Sequence, residues 1–571
     1  MILLNPHNLG HESDDERTRE LMRETVEFFE AKGKRRLLED YYDRTWYADF
    51  LEYAKDHRLL ATMCTPGGED VDKTGGASDD ARWDTWRVCQ FAEILGFYGL
   101  QYWYTWQVSV LGLGPIWMSS NEAIRKRTAQ ALENGGIFAF GLSEKTHGAD
   151  IYSTDMVLTQ DGEGWKANGR KYYIGNGNEA AIVSTFGRFD GSDEYVFFAS
   201  DPSHENYHLI QNVVASQNYV SEFELRDYPI TEADILHRGR DAWNAALGTV
   251  NIGKYNLGWA SIGICTHALY EAITHANNRV LYGSPVTDMS HVRNMFVDAY
   301  CRLVSMKLFA LRAADYMRSA SREDRRYLLF NPMVKMKVTT QGEDVINLMW
   351  DAIAAKGFEK DTYFGQAAVD IRALPKLEGT VHVNIALIVK FMANYFFNAG
   401  EFPEVERQDQ PRNDDFLFDQ GGAGGLGQIQ FHDYQKTFDE FARIPNVALF
   451  AEQAGAFREL LASDPPGPDQ MKDVDFLLAG GNLFAMVVYA QLILENAKIY
   501  EVDDDLVGQI FDFMIRDTSQ HALAFSLQAS STEKQMAQCR IMMRKPIADP
   551  TRYGRVWESV RKLDGAYEMK P

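Results

Sequence analysis

Cysteine is scarce. The 571 residues hold five, Cys64, Cys89, Cys265, Cys301 and Cys539, scattered and without the close pairing of a metal knuckle. An odd, dispersed set excludes a disulfide framework and supplies no paired metal ligands, so no metal site is expected and a reducing cytoplasmic setting fits. Positive charge is also short: 58 Lys and Arg stand against 81 Asp and Glu, a formal net charge of -23. Nucleic-acid binding draws on basic patches that release phosphate counterions, so no nucleic-acid partner is expected. A solvated acidic surface accounts for the balance. The chain has no uninterrupted apolar run of about 18 residues, so no transmembrane segment is expected. Its start, Met1-Ile-Leu-Leu-Asn-Pro-His7, has neither the apolar length nor the basic flank of a secretion signal.

Apolar content is ample at 45%, enough for the cores of three or four domains. In the first stretch Leu21, Met22, Val26 and Phe29 recur at three- to four-residue spacing, the face of an amphipathic helix. The character changes at Gly135-Gly136. Strand signals follow at 137–140, 155–159, 181–186 and 195–199, and Asp161-Gly-Glu-Gly164 reads as a hairpin turn. Helical spacing returns over 250–282, 288–320, 333–356 and 380–397, with breaks at Tyr282-Gly-Ser-Pro285, Asn331-Pro332 and Lys356-Gly357. The expected fold is α+β: an N-terminal helical domain (1–135), a middle antiparallel β-domain (136–245), a C-terminal four-helix bundle (246–400) and an extra helical domain (401–571). The last opens on a polar linker, Arg407 to Asp415, and a glycine run, Gly421 to Gly427. That run lacks the Lys-Ser/Thr ending and the leading strand of a phosphate loop, and reads as a connector.

Three short motifs stand in order: Phe140-Gly-Leu-Ser-Glu144 with His147-Gly-Ala-Asp150, then Gly169-Arg-Lys-Tyr-Tyr-Ile-Gly-Asn-Gly177, then Leu377-Glu-Gly-Thr380. Together they resemble the acyl-CoA dehydrogenase family, over roughly residues 80 to 400. The family forms run F-x-[LV]-[TS]-E-x-x-x-G-[SA]-D and N-G-x-K-x-[WY]-I-[TS]-N-G, and its third segment carries the catalytic base. The resemblance implies FAD. Phe140, Leu142 and Ser143 then match positions at the flavin ring, and Gly148 and Ala149 positions near the pyrophosphate. Alanine replaces a usual serine at 149, leaving only main-chain contact there. Tyr173 takes the aromatic place beside the ring, followed by Ile174. Gly175 stands where a Thr or Ser hydroxyl commonly reaches flavin N5, so only a backbone N–H remains at that point.

Arg279, in Asn278-Arg-Val-Leu-Tyr-Gly283, matches the family's R-x-x-[FY]-G together with Tyr282. There the arginine reaches the FAD diphosphate of a neighbouring subunit, which implies a homo-oligomer, dimer or tetramer. Ser290 and the stretch from Asp351 to Phe358 depart from the family pattern, and the role of Asp351 stays open. Glu378 matches the base. It follows the helix-breaking Leu374-Pro375 and precedes a glycine, a placement suited to a loop delivering one carboxylate. No carboxylate occurs in Asn251-Ile-Gly-Lys-Tyr255, where some relatives carry the base instead. Lys254 stands there in place of a common arginine and either sets the local potential or packs. Gly379 and Lys254 fall on the substrate side, and Thr380 and His382 match positions touching the cofactor.

The implied reaction is α,β-dehydrogenation of an acyl-CoA or acyl carrier protein thioester, as in β-oxidation of fatty acids, with electrons passed to an electron-transferring flavoprotein. An oxidase or flavin monooxygenase on the same fold, and a non-enzymatic interaction paralogue, are the alternatives. The extension resembles that of members acting on very long acyl chains, or is a packing domain.

Overall fold

The computed structural model describes residues 2–9, 15–67, 80–150, 153–420 and 424–571. It divides into two compact units: a first of residues 9–256, 409–424 and 569–571, and a second of residues 1–8, 257–408 and 425–568. Gly421-Gly-Ala423, the start of the glycine run, lies outside the described residues.

In the first unit, α1 (Glu16–Lys32) buries Leu21, Met22, Val26 and Phe29, the face its spacing predicts. Helix α2 (Thr85–Tyr98) starts where the Asp84 carboxylate accepts from Arg87 N–H, an N-cap. Helix α3 (Leu100–Trp117) is buried along its whole length and is therefore a core helix. At Gly112 it lies so close to the sheet that a Cβ would meet the backbone of Ala139 at 2.7 Å. Part of the expected polar linker is built in: Asp414 is fully buried, and its carboxylate accepts from Thr85 N–H at 2.9 Å.

Among the described residues the sheet has eight strands: β1 (Phe138–Gly141), β2 (Val157–Asp161), β3 (Gly164–Gly175), β4 (Ile182–Phe189), β5 (Tyr195–Ser200), β6 (Tyr207–Asn212), β7 (Val220–Ile230) and β8 (Ile235–Arg238). Their order is β6-β7-β3-β2-β4-β5-β8, with β1 beside β4. The predicted turn joins β2 and β3, pairing Asp161 with Gly164. The sheet is mostly antiparallel, but β1 and β2 each run parallel to β4. Parallel neighbours need a long connection, and the stretch between β1 and β2 with the β2–β3 hairpin provides it. Leu158, Ile174, Val183, Phe198 and Phe223 fill the interior. Each stabilises the sheet by about 1.5–3 kcal/mol through burial. Helix α4 (Gly239–Gly253) closes the unit.

The second unit begins with α5 (Asn256–Asn278), and the single helix expected over 250–282 is two, parted at Lys254-Tyr255. A hairpin of β9 (Val280–Leu281) and β10 (Ser284–Pro285) leads to α6 (Ser290–Arg318). At Asn331-Pro332 the chain stays helical rather than breaking, then widens into a π-turn, Val334–Val338, before α7 (Thr339–Ile353). Helix α8 (Val381–Ile388) completes the bundle.

From the extension, α9 (Val474–Ile499) and α10 (Asp504–Ser526) pack on α6, and α9 also on α8. Arg302 grips Asp517 with two bonds of 2.8 and 2.9 Å, and Arg312 meets Glu495 at 2.8 Å. Among the described residues α9 alone is long and apolar enough to cross a membrane. The count of unbroken apolar runs missed it because Asn482 and Gln491 interrupt the pattern. Of its most apolar window 83% is buried within the protein, the condition of a core helix.

Candidate functional site

The first motif is built on an ion pair. Glu144 and Lys171, both buried, meet at 2.6 Å, joining the loop after β1 to β3. Lys171 also donates to Leu142 O at 3.1 Å. Glu144 accepts further from Thr154 Oγ1 at 2.6 Å and Asp155 N–H at 2.7 Å. Burial pulls this carboxyl upward, but the Lys171 charge and the donors around it hold it below its ordinary range. The motif's two charged letters are thus a clamp. What the clamp presents is Leu142-Ser143. Tyr172 N–H holds Ser143 O at 3.0 Å, while the Ser143 hydroxyl has no partner among the described residues. Phe140 is half-buried, stacked on Phe197.

On β3 the register with β7 shifts between Lys171 and Ile174, a bulge. Tyr173 sits in it at φ 64° with 62% of its surface exposed. An aromatic side chain thrown outward at a left-handed residue is not a core ring. Ile174 points the other way, into the sheet interior, and its carbonyl accepts from Ser221 Oγ at 2.8 Å. At Gly175 a Cβ would lie 2.7 Å from Tyr104 Cε1 and 2.9 Å from Tyr104 Oη, so the phenol of α3 fills the space of the absent side chain. Asn176, unremarked in the sequence, is a fully buried hub. It donates to Thr105 O at 2.9 Å, Phe138 O at 3.0 Å and Ser109 Oγ at 3.2 Å, and accepts from Thr105 Oγ1 at 2.9 Å. Gly148 and Ala149 are exposed at the tip of a turn closed by a 2.9 Å bond from His147 to Asp150. Among the described residues, a Cβ at Gly148 would meet nothing within 4 Å. Lys254 is buried at the end of α4.

In the second unit Arg279 follows α5, and its guanidinium has neither hydrogen bond nor ion pair among the described residues. The hairpin beyond it turns on Tyr282 and Gly283 at φ 54° and 84°, the left-handed pair of a two-residue loop. Tyr282 is 98% exposed, and Val280 beside it is exposed too. Burial, then the charges of Lys356 and Arg279, hold the His275 imidazole below its usual range, which places the 354–358 turn at the Arg279 end of α5. Asp351 is exposed on α7 at the rim of a cavity of about 530 Å³ lined by Arg302, Lys337, Asp344, Asp517 and His521.

Glu378 lies in the turn between Leu374 and α8. It adopts φ 51° and Gly379 adopts φ 84°. Left-handed backbone is costly for a residue with a β-carbon and marks a conformation that the surroundings impose. Its Oε2 is fully buried. Thr380 caps α8, its hydroxyl accepting from Val383 N–H at 3.5 Å, and His382 is exposed in the first turn. The structure therefore gathers Glu378, Gly379, Thr380 and His382 on one turn, and Arg279, Tyr282 and the 354–358 segment at one helix end. Phe140, Leu142, Ser143, Tyr173 and Gly175 share one region of the sheet. Lys254 and Glu378 fall in different units. In the first unit an exposed ring, and a hydroxyl with no partner among the described residues, can serve an aromatic ring with acceptor edges; in the second, a guanidinium with no partner among the described residues can serve an anionic group.

Residues 241–393 match the model of the acyl-CoA dehydrogenase C-terminal domain. The short-chain specific acyl-CoA dehydrogenase of Megasphaera elsdenii is 24% identical over 309 residues, 50% of this chain and 78% of that one. The Caffeyl-CoA reductase-Etf complex subunit CarC of Acetobacterium woodii is 23% identical, covering 51% of this chain and 80% of its own. Among solved structures, an acyl-CoA dehydrogenase complexed with FAD from Bacillus anthracis superposes with a TM-score of 0.72 at 16% identity, over 99% of this chain and 97% of that chain. The helical extension is therefore part of the shared fold.

Proposed function

We propose, for a chain that belongs by fold and motif to the acyl-CoA dehydrogenase family, that it oxidises saturated acyl thioesters to trans-2-enoyl thioesters with FAD. The Glu378 turn carries the reading: a glutamate held left-handed with a buried carboxylate oxygen, on a loop rather than within a helix. Strain kept at such a position is a mark of function.

Gly148, with nothing near its Cβ position among the described residues, the exposed Tyr173 ring, the Ser143 hydroxyl and the Arg279 guanidinium suit FAD in chemistry. FAD, when bound, supplies the hydride acceptor that no side chain provides. Glu378 accepts the α-proton through its carboxylate, and its main-chain N–H polarises the thioester carbonyl. Ser143 and the 140–143 backbone orient the ring, Thr380 and His382 hold the cofactor beyond it, and Gly379 lines the thioester. Arg279 and the apolar hairpin serve a second copy of the chain, making a homo-oligomer. An electron-transferring flavoprotein takes the electrons, and acyl-CoA is the substrate ahead of a carrier-protein thioester. Five free, buried cysteines are consistent with a reducing cytoplasm.

Glu378→Gln tests the reading. FAD content and acyl-CoA binding should survive while flavin bleaching, followed by anaerobic rapid mixing with butyryl-, octanoyl- or palmitoyl-CoA, slows by about 10²–10⁴-fold. A rate within about threefold of wild type removes Glu378 as the base, and colourless protein that takes up no FAD removes the whole reading. Peroxide in place of flavoprotein reduction would mark an oxidase.

A further inference from the structure

The Glu378 turn is gripped from beneath by a buried lysine. Lys335 stands in the π-turn Val334–Val338, and its Nζ donates to Pro375 O at 2.7 Å and to Gly379 O. These two carbonyls bracket Glu378, one three residues before it and one directly after. A π-turn inserts a residue into a helix and so re-aims its side chains, a device found often at functional sites. Here it directs an ammonium rather than an apolar side chain at the turn, and Thr339 Oγ1 secures the Lys335 carbonyl from the next turn of helix. Asn384 Nδ2 adds bonds to Gly379 O at 3.2 Å and Thr380 O at 2.9 Å.

The chemistry suits the task. Two carbonyl oxygens on either side of a left-handed residue need a donor that reaches both, and a compact, freely rotating ammonium with three donors and a full charge does so. A base acts through its position, and a displacement of about 1 Å can cost on the order of 10²-fold in rate. We propose that Lys335 is the positioning residue of Glu378, cross-linking the carbonyls around the base so that its carboxylate keeps one orientation. The proposal rests on Glu378 being the base.

Lys335→Met keeps the length and the apolar stem but removes the donors. Measured on the FAD-loaded full chain by anaerobic rapid mixing with butyryl-, octanoyl- and palmitoyl-CoA, it should slow flavin reduction at saturation by about 10–100-fold. The acyl-CoA dissociation constant should change less than about threefold, and the flavin-to-protein ratio not at all. Lys335→Arg should recover part of the rate. In a Glu378→Gln background Lys335→Met should add less than about threefold, because the residue it positions is already disabled. A purely structural role gives another pattern: lower thermal midpoint, lost FAD, and a full additional loss in the Glu378→Gln background. That pattern overturns the proposal, as does a folded, FAD-loaded Lys335→Met that reduces at the wild-type rate. Should Lys335→Met not fold, Lys335→Gln, which retains one donor group, carries the same comparison. If Glu378→Gln itself reduces normally, it is the base assignment that fails.

Discussion

Replacing Lys171 with methionine isolates the clamp beneath the first motif. The wild-type ammonium contacts Glu144 Oε1 at 2.6 Å, Leu142 O at 3.1 Å and Thr154 Oγ1 at 3.5 Å, with no solvent access to the side chain. Lys171→Met leaves Glu144 with Thr154 Oγ1, Asp155 N–H and a longer 3.4 Å bond from Met156 N–H, a buried carboxylate whose matching charge is gone. Removing one partner of such a pair costs about 3–5 kcal/mol, because the other stays buried and uncompensated. For a unit of this size that is a fall of roughly 6–20 °C in thermal midpoint. Glu144→Gln in addition removes the stranded charge while its amide oxygen still accepts from Thr154, so the double variant should regain at least about 2 kcal/mol. Circular dichroism melts at pH 7 give the midpoints, and the flavin-to-protein absorbance ratio reads the Leu142-Ser143 loop, which the single variant should leave poorly loaded. A Lys171→Met melt within about 3 °C of wild type, or a double variant less stable than the single, would show that the pair does not hold the loop.

Three further outcomes follow from the geometry. Gly175→Thr, which restores a side-chain hydroxyl beside Tyr104, drives its Cβ to 2.7 Å from that ring and 2.8 Å from Val108 Cγ1. It should lower stability by about 1–3 kcal/mol in a urea melt, Tyr104→Ala should relieve most of that, and an undisturbed single variant would contradict the packing. Burial and the neighbouring Lys337 charge push the His521 imidazole down to about 4, with Asp517 opposing. The unfolded chain then binds the proton first, so stability is full above pH 6.5 and falls toward pH 4 by about 3 kcal/mol. His521→Gln should flatten that stretch of the pH–stability curve, and an unchanged slope would clear His521. Glu378→Gly relieves the left-handed strain and should raise the melting free energy by up to about 1 kcal/mol while abolishing flavin reduction, whereas a loss above about 1 kcal/mol would make the carboxylate a structural group.

Most of the secondary structure could be read from local spacing, because Leu21, Met22, Val26 and Phe29, or the turn at Asp161–Gly164, announce themselves within a dozen residues. What escaped depends on partners distant in the chain. Glu144 and Lys171 lie in separate motifs, and nothing in either says that the two meet. Asn176 looks like a turn residue until Thr105, Ser109 and Phe138 surround it. The parallel pairings of β1 and β2 with β4 leave no trace in alternation, which reports faces and not neighbours. The outward Tyr173 ring needs a bulge that alternation does not encode. Lys335 sits in an apolar helical stretch, with its acceptors some forty residues on. The proposed role of Glu378 rests on motif, since neither burial nor left-handed backbone can be read from Leu377-Glu-Gly-Thr380.

The strained residues bear on the alternative of a non-enzymatic paralogue. Tyr173 and Glu378 are both left-handed and both carry a β-carbon, at about 1–3 kcal/mol each. Glycine would remove that cost at either position. A chain that uses the fold only as a binding surface gains little from an exposed tyrosine on a bulge or from a left-handed glutamate whose flanking carbonyls are held by one lysine some forty residues away. Where a motif side chain is missing, at Gly175, the space is filled by Tyr104 rather than left as a cavity. Filling by a neighbour is repacking around a changed residue, and a decaying site would show voids and relaxed backbone instead. Strain kept at two motif positions and a void closed at a third favour the proposed enzyme over a non-enzymatic paralogue.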